Sequence, residues 1–413
     1  MDEAVEIITS GTKLQNIQTI LSFFISGINN FFFYTIPFLL ENPSIFYNNK
    51  TEEKIIYENI CGNNSVEINQ NINEKNYIIN YSIIYELLCE DNIYNIQILA
   101  FLYYVSKGIG SFILGFLTDK FGRKIILFFG SILTIITFIC LYLSLYNYYF
   151  LFISFILIGI CSYLYVFSLI LVCEFFNRTK AATISGLNIS SAVFFAIIFI
   201  LLLKIFNNIN ILYLINIILS IIIFYYVKIY FNESLYYLIS RNKINEFFEL
   251  LEKLAQLNDR NNLYEKVNQE RYKTDKIKSF SFTANIIDIF NYNSQYQRLI
   301  IHTLLWLFTS FSFHGIFDIL TFFNPFSNIF LIYIYFFILC AITQILIGIF
   351  SDIYGRKSIL TYSFYICSLA YLIFILTEEK ILVKKIFFLF VLLHHHLFFL
   401  FFLFLHQKIF LHV

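Results

Sequence analysis

Apolar runs of about 20 residues follow one another through most of the sequence, and a helix of that length crosses a hydrocarbon core. The runs lie at 15–40, 96–118, 125–146, 149–173, 182–204, 208–230, 299–323, 329–350, 358–377 and 381–405. Hydrophobic residues make up 59% of the chain and charged residues 13%, whereas about a quarter of a soluble domain is charged. We therefore expect an all-α membrane protein with ten spans, and the composition excludes a soluble or disordered chain.

The connecting segments predict the orientation and the domain organisation. Lys and Arg concentrate in the segments that are cytoplasmic when the N-terminus is inside, and the first outer loop is rich in acids. We expect a cytoplasmic N-terminus at 1–14, a six-helix half at 15–230 with an outer loop at 41–95, a cytoplasmic central loop at 231–298, and an incomplete second half at 299–413. Apolar residues at helical spacing in Ile244–Leu257 predict a surface helix within the central loop.

The loop at 41–95 has the features of an extracytoplasmic segment. Its two thiols, Cys61 and Cys89, either pair in an oxidising compartment or remain free. Sequons at Asn49, Asn63 and Asn80 predict glycosylation, although in a chain so rich in Asn each one is as readily a chance occurrence. The loop favours the plasma membrane over an internal membrane.

A ten-residue pattern occurs twice, each time between the second and third run of a half. Residues 115–124 read GFLTDKFGRK and residues 348–357 read GIFSDIYGRK. The identical positions are Gly115 and Gly348, Asp119 and Asp352, Gly122 and Gly355, Arg123 and Arg356, and Lys124 and Lys357. A repeat at equivalent places predicts a fold built from two related halves.

Each residue type in the pattern has a physical reason. The first glycine allows a neighbouring helix to approach closely. The aspartate ends its helix at the cytoplasmic surface, where its carboxylate can meet the positive N-terminus of an adjacent helix or a basic side chain. The second glycine permits a tight turn. The Arg-Lys pair anchors the loop in the cytoplasm, but positive-inside loops alone would not explain the aspartate and the paired glycines.

This repeat resembles the signature of the major facilitator superfamily. The resemblance implies a bundle of two six-helix halves with substrate bound between them at the midplane, and salt bridges of the signature that hold the outward-open state. A finer resemblance is to the organic cation/anion transporter subfamily, carried by YELLCED at 85–91, ESLYYLISRN at 233–242 and WLFTSFSFHG at 306–315. By the same resemblance, Glu174 and Glu233 join the two aspartates in a conformational latch.

The chain departs from the family pattern in several places. Asn232 and Tyr236 replace a Pro and an Arg of the motif around Glu233. Ala181 stands where the family has the Arg that pairs with Glu174. The fold should have twelve helices and the sequence shows ten runs. After Lys385 the family features stop, and we expect a shifted reading frame or a truncated gene model there.

Polar residues inside the runs are candidates for the substrate path, because such groups are costly in lipid and usually functional. They form stripes at helical spacing: Ser22, Ser26 and Asn29 in the first run, Tyr104 and Lys107 in the second, and Trp306, Ser310, His314 and Asp318 in the seventh. The resemblance places the first and seventh helices along the central cavity. As alternatives, the lysine snorkels, the histidine fills the core, and the seventh-run aspartate lies at the outer headgroups.

Taken together, these features predict a secondary transporter that moves a small organic ion or polar solute by alternating access. The sequence contains no Walker A motif, nucleophile–base set or metal-spaced cluster, so we expect no enzyme activity, cofactor or metal. The net charge of +1 gives no indication of a nucleic-acid partner. Two alternatives are a sugar transporter of the same superfamily, and a non-transporting, degenerate or truncated relative. Neither the oligomeric state nor the substrate follows from the sequence.

Overall fold

The computed structural model describes only part of the chain. The described residues are 13–40, 80–87, 89, 92–175, 180–241, 243–257, 296–297, 300–301, 303–304, 329–355, 357–359, 361–363, 365–366 and 368–369. The regular elements in this part are α-helices. It contains 7 spans long and apolar enough to cross a membrane.

Eleven helices have defined bounds within the described residues. In chain order they are α1 (Lys13–Leu40), α2 (Tyr81–Ile84), α3 (Ile93–Phe121), α4 (Arg123–Leu143), α5 (Tyr148–Ser162), α6 (Leu164–Phe175), α7 (Ala181–Phe206), α8 (Ile209–Tyr230), α9 (Leu235–Ser240), α10 (Ile244–Leu257) and α11 (Ile329–Tyr354). Helices α5 and α6 form a single span, Tyr148–Phe175, interrupted at Tyr163. We call the end of the bundle that contains Gly122 and Gly355 the cytoplasmic end, following the distribution of basic residues.

The spans correspond to seven of the ten predicted runs. Helices α1, α3, α4, α5 with α6, α7 and α8 occupy the six runs predicted for the first half, and α11 occupies the run at 329–350. The runs at 299–323 and 358–377 are described only in fragments, and the run at 381–405 lies outside the described residues.

Asparagine residues start and end helices at the outer end of the bundle. The side chain of Asn147 accepts a hydrogen bond from the backbone N–H of Tyr149 (3.0 Å) at the start of α5. Asn208 caps α8 in the same way, from the N–H of Asn210 (2.8 Å). Asn207 ends α7 with a left-handed φ of 51°, a conformation that asparagine tolerates better than most residues. Asn207 and Asn208 together form the tight connection between α7 and α8.

Helix α11 packs closely against α7, and glycines make the approach possible. A Cβ atom on Gly186 would lie 2.6 Å from the carbonyl oxygen of Gln344, and one on Gly348 would lie 2.7 Å from the carbonyl oxygen of Ala182. Such contacts with backbone leave no room for a side chain. In lipid, van der Waals packing of close backbones drives helix association, so the glycine of the second repeat has the predicted role.

Aromatic pairs continue this contact toward the outer end, between α1 and α11. The rings of Phe38 and Tyr333 lie 5.0 Å apart between centroids, and those of Tyr34 and Phe337 lie 5.7 Å apart. Edge-to-face pairs of this kind contribute about 0.5–1.5 kcal/mol beyond their buried area. Helix α11 therefore contacts the first half at both ends.

Helix α10 covers the cytoplasmic end of the first half, and it spans the residues predicted for the surface helix. Its apolar face is buried, with Phe247, Phe248, Leu251, Leu254 and Ala255 at 4% exposure or less. Its partner is the short helix α9. On the exposed face, Lys243 pairs with Glu246 at 2.9 Å, and this hydrogen bond raises the pKa of the lysine.

The described part of the outer loop corrects one expectation and leaves others as predictions. Asn80 is fully buried, and its amide nitrogen donates to the carbonyl oxygen of Phe38 (3.3 Å). An N-linked glycan needs an exposed amide, so glycosylation of Asn80 does not fit this packing. Cys89 is disulfide-bonded. Because Cys61 lies outside the described residues, as do Asn49 and Asn63, the predicted pairing and the other two glycans stay predictions.

The close approach of α7 and α11 predicts a different effect for alanine at two glycines. Gly186→Ala should destabilise the protein by about 1–3 kcal/mol, because overpacking forces the helices apart. Gly108→Ala is the control, since a Cβ there meets no atom within 4 Å among the described residues. Alanine is the better helix former, so this variant should be as stable as the parent protein or more so. Thermal unfolding in detergent, followed by size-exclusion chromatography, measures both; equal melting temperatures would contradict the packing argument.

Burial of Asn80 predicts which sequons carry glycans. After expression in eukaryotic cells, glycosidase treatment should shift the gel mobility of the parent protein. The shift should be lost in the Asn49→Gln, Asn63→Gln double variant and unchanged in Asn80→Gln. A shift that depends on Asn80 would show that this residue is exposed when the glycan is added.

Candidate transport site

The turn between α3 and α4 needs a glycine for two reasons. Gly122 has a φ of +101°, a region that side chains disfavour. A Cβ atom on it would also lie 2.4 Å from Oε2 of Glu233. The second glycine of the first repeat therefore permits the turn and admits a carboxylate from another helix connection.

Glu233 caps the start of α4. Its carboxylate accepts hydrogen bonds from the backbone N–H of Arg123 (2.9 Å) and of Lys124 (3.2 Å). The first N–H groups of a helix have no partner within the helix, and a negative charge near them contributes about 0.3–1 kcal/mol. Glu233 thus links the segment that follows α8 to the N-terminus of α4.

Glu174 forms a buried ion pair with Arg123. The carboxylate is 2% exposed and the guanidinium 20%. Ser234 joins them, because its hydroxyl donates to Glu174 and accepts from Nη1 of Arg123 (3.3 Å). The sequence left Glu174 without its family partner at Ala181, and the structure supplies one from the first repeat instead.

Asp352 caps a helix N-terminus as Glu233 does, but this cap joins the two halves. Its carboxylate accepts from the backbone N–H of Ala182 (3.2 Å) and of Thr183 (2.8 Å), and from the hydroxyl of Thr183 (2.7 Å). These residues are the first turn of α7. An aspartate of the second repeat therefore meets the positive N-terminus of a first-half helix, as the sequence predicts for this residue type.

The first copy of the repeat has a more open environment. The side chain of Asp119 is exposed and forms no direct hydrogen bond or ion pair within the described part of the chain, although the charges of Arg123 and Arg241 attract its carboxylate. Its backbone carbonyl accepts from the guanidinium of Arg241. A Cβ on Gly115 would likewise meet nothing within 4 Å there. In the second copy, Gly355 has a positive φ of 85° and Lys357 is exposed, while Arg356 lies outside the described residues.

The polar stripe of α1 points into the first half and not along an open path. Ser22 donates to the hydroxyl of Ser168 on α6 (3.1 Å), and Ser26 donates to the carbonyl of Asn188 on α7 (2.6 Å). Asn29 accepts from the hydroxyl of Thr134 on α4 (2.8 Å). All three are at most 7% exposed. Their assignment to the substrate path is therefore unsupported, because their polar groups are used between helices.

Lys107 lies about midway along the span formed by α3, as the second polar stripe predicts. Its amine lies 5.0 Å from the centroid of the Phe33 ring and 5.8 Å from that of Tyr103. Tyr104 on the same helix is 42% exposed. On insertion scales, Lys at the centre of a span costs about 2.5–3.5 kcal/mol, whereas a cation–π contact returns about 0.5–2 kcal/mol. Two such contacts together return about 1–4 kcal/mol, which is of the same order as this cost, but they supply no opposite charge.

A cluster of tyrosines lies around this lysine, and it was not predicted from the sequence. Tyr34 on α1 lies within reach of Gln344 on α11 and close to Tyr165 on α6. Tyr103 lies near Tyr34, Tyr165 and the hydroxyl of Ser162. With 31 tyrosines in the chain, no single one stood out. The sequence feature that could have indicated this cluster was Gln344, an amide inside a largely apolar run.

The remaining candidates cannot be placed. Trp306, Ser310, His314 and Asp318 of the seventh run lie outside the described residues. Within the described part of the chain, no group of three His, Cys, Asp or Glu side chains is positioned to hold a metal ion.

Comparisons with known proteins agree with the fold. Solved structures that match include a double-tryptophan mutant of XylE (13% identity, TM-score 0.64, covering 95% of this chain and 81% of that chain). Others are E. coli XylE in a partially occluded inward-open conformation (12%, 0.57, 96% and 87%) and the human organic anion transporter MFSD10 (11%, 0.59, 95% and 86%). At these identities the likeness shows the fold alone. No curated protein sequence matches this chain.

A family model decides the assignment. The model described as Major Facilitator Superfamily matches residues 19–405, which is most of the chain. The two copies of the repeat, with their aspartates and glycines at a cytoplasmic end, fall within the match. The chain therefore belongs to the Major Facilitator Superfamily and is a multi-pass secondary transporter, not an enzyme.

Proposed function

We propose that this transporter moves a small organic ion or polar solute by alternating access, with Asp352 as the contact that biases its cytoplasmic side toward closure. The observation that supports this most is the aspartate at the first turn of α7, which joins the halves. Hydrogen bonds between helices in membranes average about 0.6 kcal/mol each, so its three bonds contribute about 2 kcal/mol. That is enough to shift a two-state population and small enough to be broken in each cycle.

The interactions inside the first half are of a different kind. Arg123, Glu174, Ser234 and Glu233 connect α4, α6 and the segment after α8 with a buried ion pair and backbone caps. Removing one partner of a buried ion pair typically costs about 3–5 kcal/mol. The first half is therefore held as a rigid body, against which the second half can rock.

A sugar transporter is the second candidate. One structural relative is a proton:xylose symporter bound to a glucose derivative, at 12% identity, and sugar carriers share the repeat and the Glu233 motif. The long first loop with its bonded Cys89 favours an organic-ion transporter instead. If its predicted disulfide and glycans form, they also favour the plasma membrane.

The structure weakens two of the motives for a non-transporting relative, the replacements at Ala181 and Asn232. Ala181 suggested that the ion pair of Glu174 was lost, but Arg123 provides its counter-charge. Asn232 is buried beside the intact cap of Glu233. Neither departure leaves a charged group of this cluster unpaired.

Uptake into proteoliposomes tests the proposed role of Asp352. Asp352→Asn removes the charge at the N-terminus of α7 and should lower the initial rate of saturable uptake about tenfold, the factor that corresponds to about 1.4 kcal/mol. Asp119→Asn should also weaken uptake, because it removes the negative charge that attracts Arg123 and Arg241. Glu246→Gln is the control, since this carboxylate is exposed on α10. Unchanged uptake in Asp352→Asn would contradict the latch, and the absence of uptake of organic cations, organic anions and hexoses by the parent protein would contradict transport.

The rigid-body role of Glu174 predicts a loss of stability. Glu174→Gln removes the buried carboxylate that pairs with Arg123 and should destabilise the protein by about 3–5 kcal/mol. Glu246→Gln breaks an exposed pair and should leave the melting temperature unchanged. Thermal unfolding in detergent compares the two, and equal melting temperatures would show that the buried pair does not stabilise the half.

A further inference from the structure

Lys107 is a charge without a fixed counter-charge in the described part of the protein. The ion pairs found there are Arg123 with Glu174 and Lys243 with Glu246. Within the described residues, the amine of Lys107 lies against the Phe33 and Tyr103 rings and forms no salt bridge. A charge at mid-membrane normally faces water or an opposite charge. The lysine therefore needs a partner that these residues do not provide.

Lys107 lies at the border between the side of α3 that packs on the core of the first half and a more open side, since a Cβ on Gly159 of α5 would lie 3.0 Å from the backbone nitrogen of Lys107. Toward that core, a Cβ on Gly159 of α5 would lie 2.5 Å from the carbonyl of Tyr103, so the two helices touch there. On the open side, a Cβ on Gly108 would meet nothing within 4 Å among the described residues. Phe112, which is 76% exposed, points to a third side, which is apolar and suits lipid.

The sequence limits which protein carboxylate could serve. Of the 27 acidic residues, Asp318 is the one inside a predicted run. It lies seven residues past the middle of the run at 299–323, toward its outer end. In the sequence pattern Asp318 therefore falls toward the outer end of its predicted run, whereas Lys107 falls in the middle of its own. A permanent ion pair between them is tested by the double variant described below.

We propose that Lys107 binds the carboxylate of the transported solute and makes the transporter selective for organic anions. The inference rests on the proposed function and names its substrate class. The aromatic rings of Phe33, Tyr103 and Tyr104 suit a solute with an apolar or aromatic body, which packs on ring faces and edges. A mobile anion satisfies the lysine when bound and frees it when released, as a transport cycle requires.

The test uses the full-length protein in proteoliposomes with three radiolabelled probes: benzoate, tetraethylammonium and xylose. The parent protein should take up benzoate saturably and the other two poorly. Lys107→Gln should lower benzoate kcat/KM at least tenfold, while Lys107→Arg should stay within about threefold because the charge is kept. Lys228→Gln, an exposed lysine on α8, is the control and should match the parent protein.

Each other outcome has a definite meaning. Saturable uptake of tetraethylammonium or xylose without benzoate would overturn anion selection and leave transport standing. Benzoate uptake that is unchanged in a monodisperse Lys107→Gln protein would also overturn it. If none of the probes is taken up, benzoate should still raise the melting temperature of the parent protein and not that of Lys107→Gln. In that case transport fails and anion binding stands, and no such shift overturns both.

A double variant excludes an internal ion pair. If Asp318 were the fixed partner, Asp318→Asn and Lys107→Gln would each lower stability and the two together would restore it. We expect no such compensation, and restored stability would overturn the proposal.

Discussion

This structure is organised around the N-termini of transmembrane helices at the cytoplasmic end. Each such N-terminus is positive and has N–H groups without partners inside the helix. Helices α4 and α7 both begin there, and each is capped by a carboxylate from a different part of the chain: Glu233 for α4 and Asp352 for α7. The first cap lies within one half and the second crosses between halves. One kind of interaction therefore serves both to hold a half together and to connect it to the other.

The sequence predicted interactions that depend on short-range chemistry. The turn at Gly122, the close packing at Gly348 and the helix-end partner of Asp352 all follow from residue types at fixed spacing. The bounds of α10 could be predicted for the same reason, since they follow from apolar periodicity within one segment.

What could not be predicted depends on how helices are rotated against one another. Periodicity shows that Ser22, Ser26 and Asn29 share a face of α1, but not that α4, α6 and α7 cover this face. The pairing of Glu174 with Arg123 joins the start of one span to the end of the next, and no local pattern links residues so far apart in the sequence. The tyrosines around Lys107 were hidden for a compositional reason, because tyrosine is common throughout the chain.

The hydrogen bonds of α1 also constrain how the protein is made. Ribosomes synthesise α1 first, yet the groups that satisfy its buried hydroxyls and amide belong to Thr134, Ser168 and Asn188, more than a hundred residues later. Until those helices leave the ribosome, α1 exposes polar groups that are unfavourable in acyl chains. The polar contacts of the first helix are therefore complete only after α7, the fifth span, has entered the membrane.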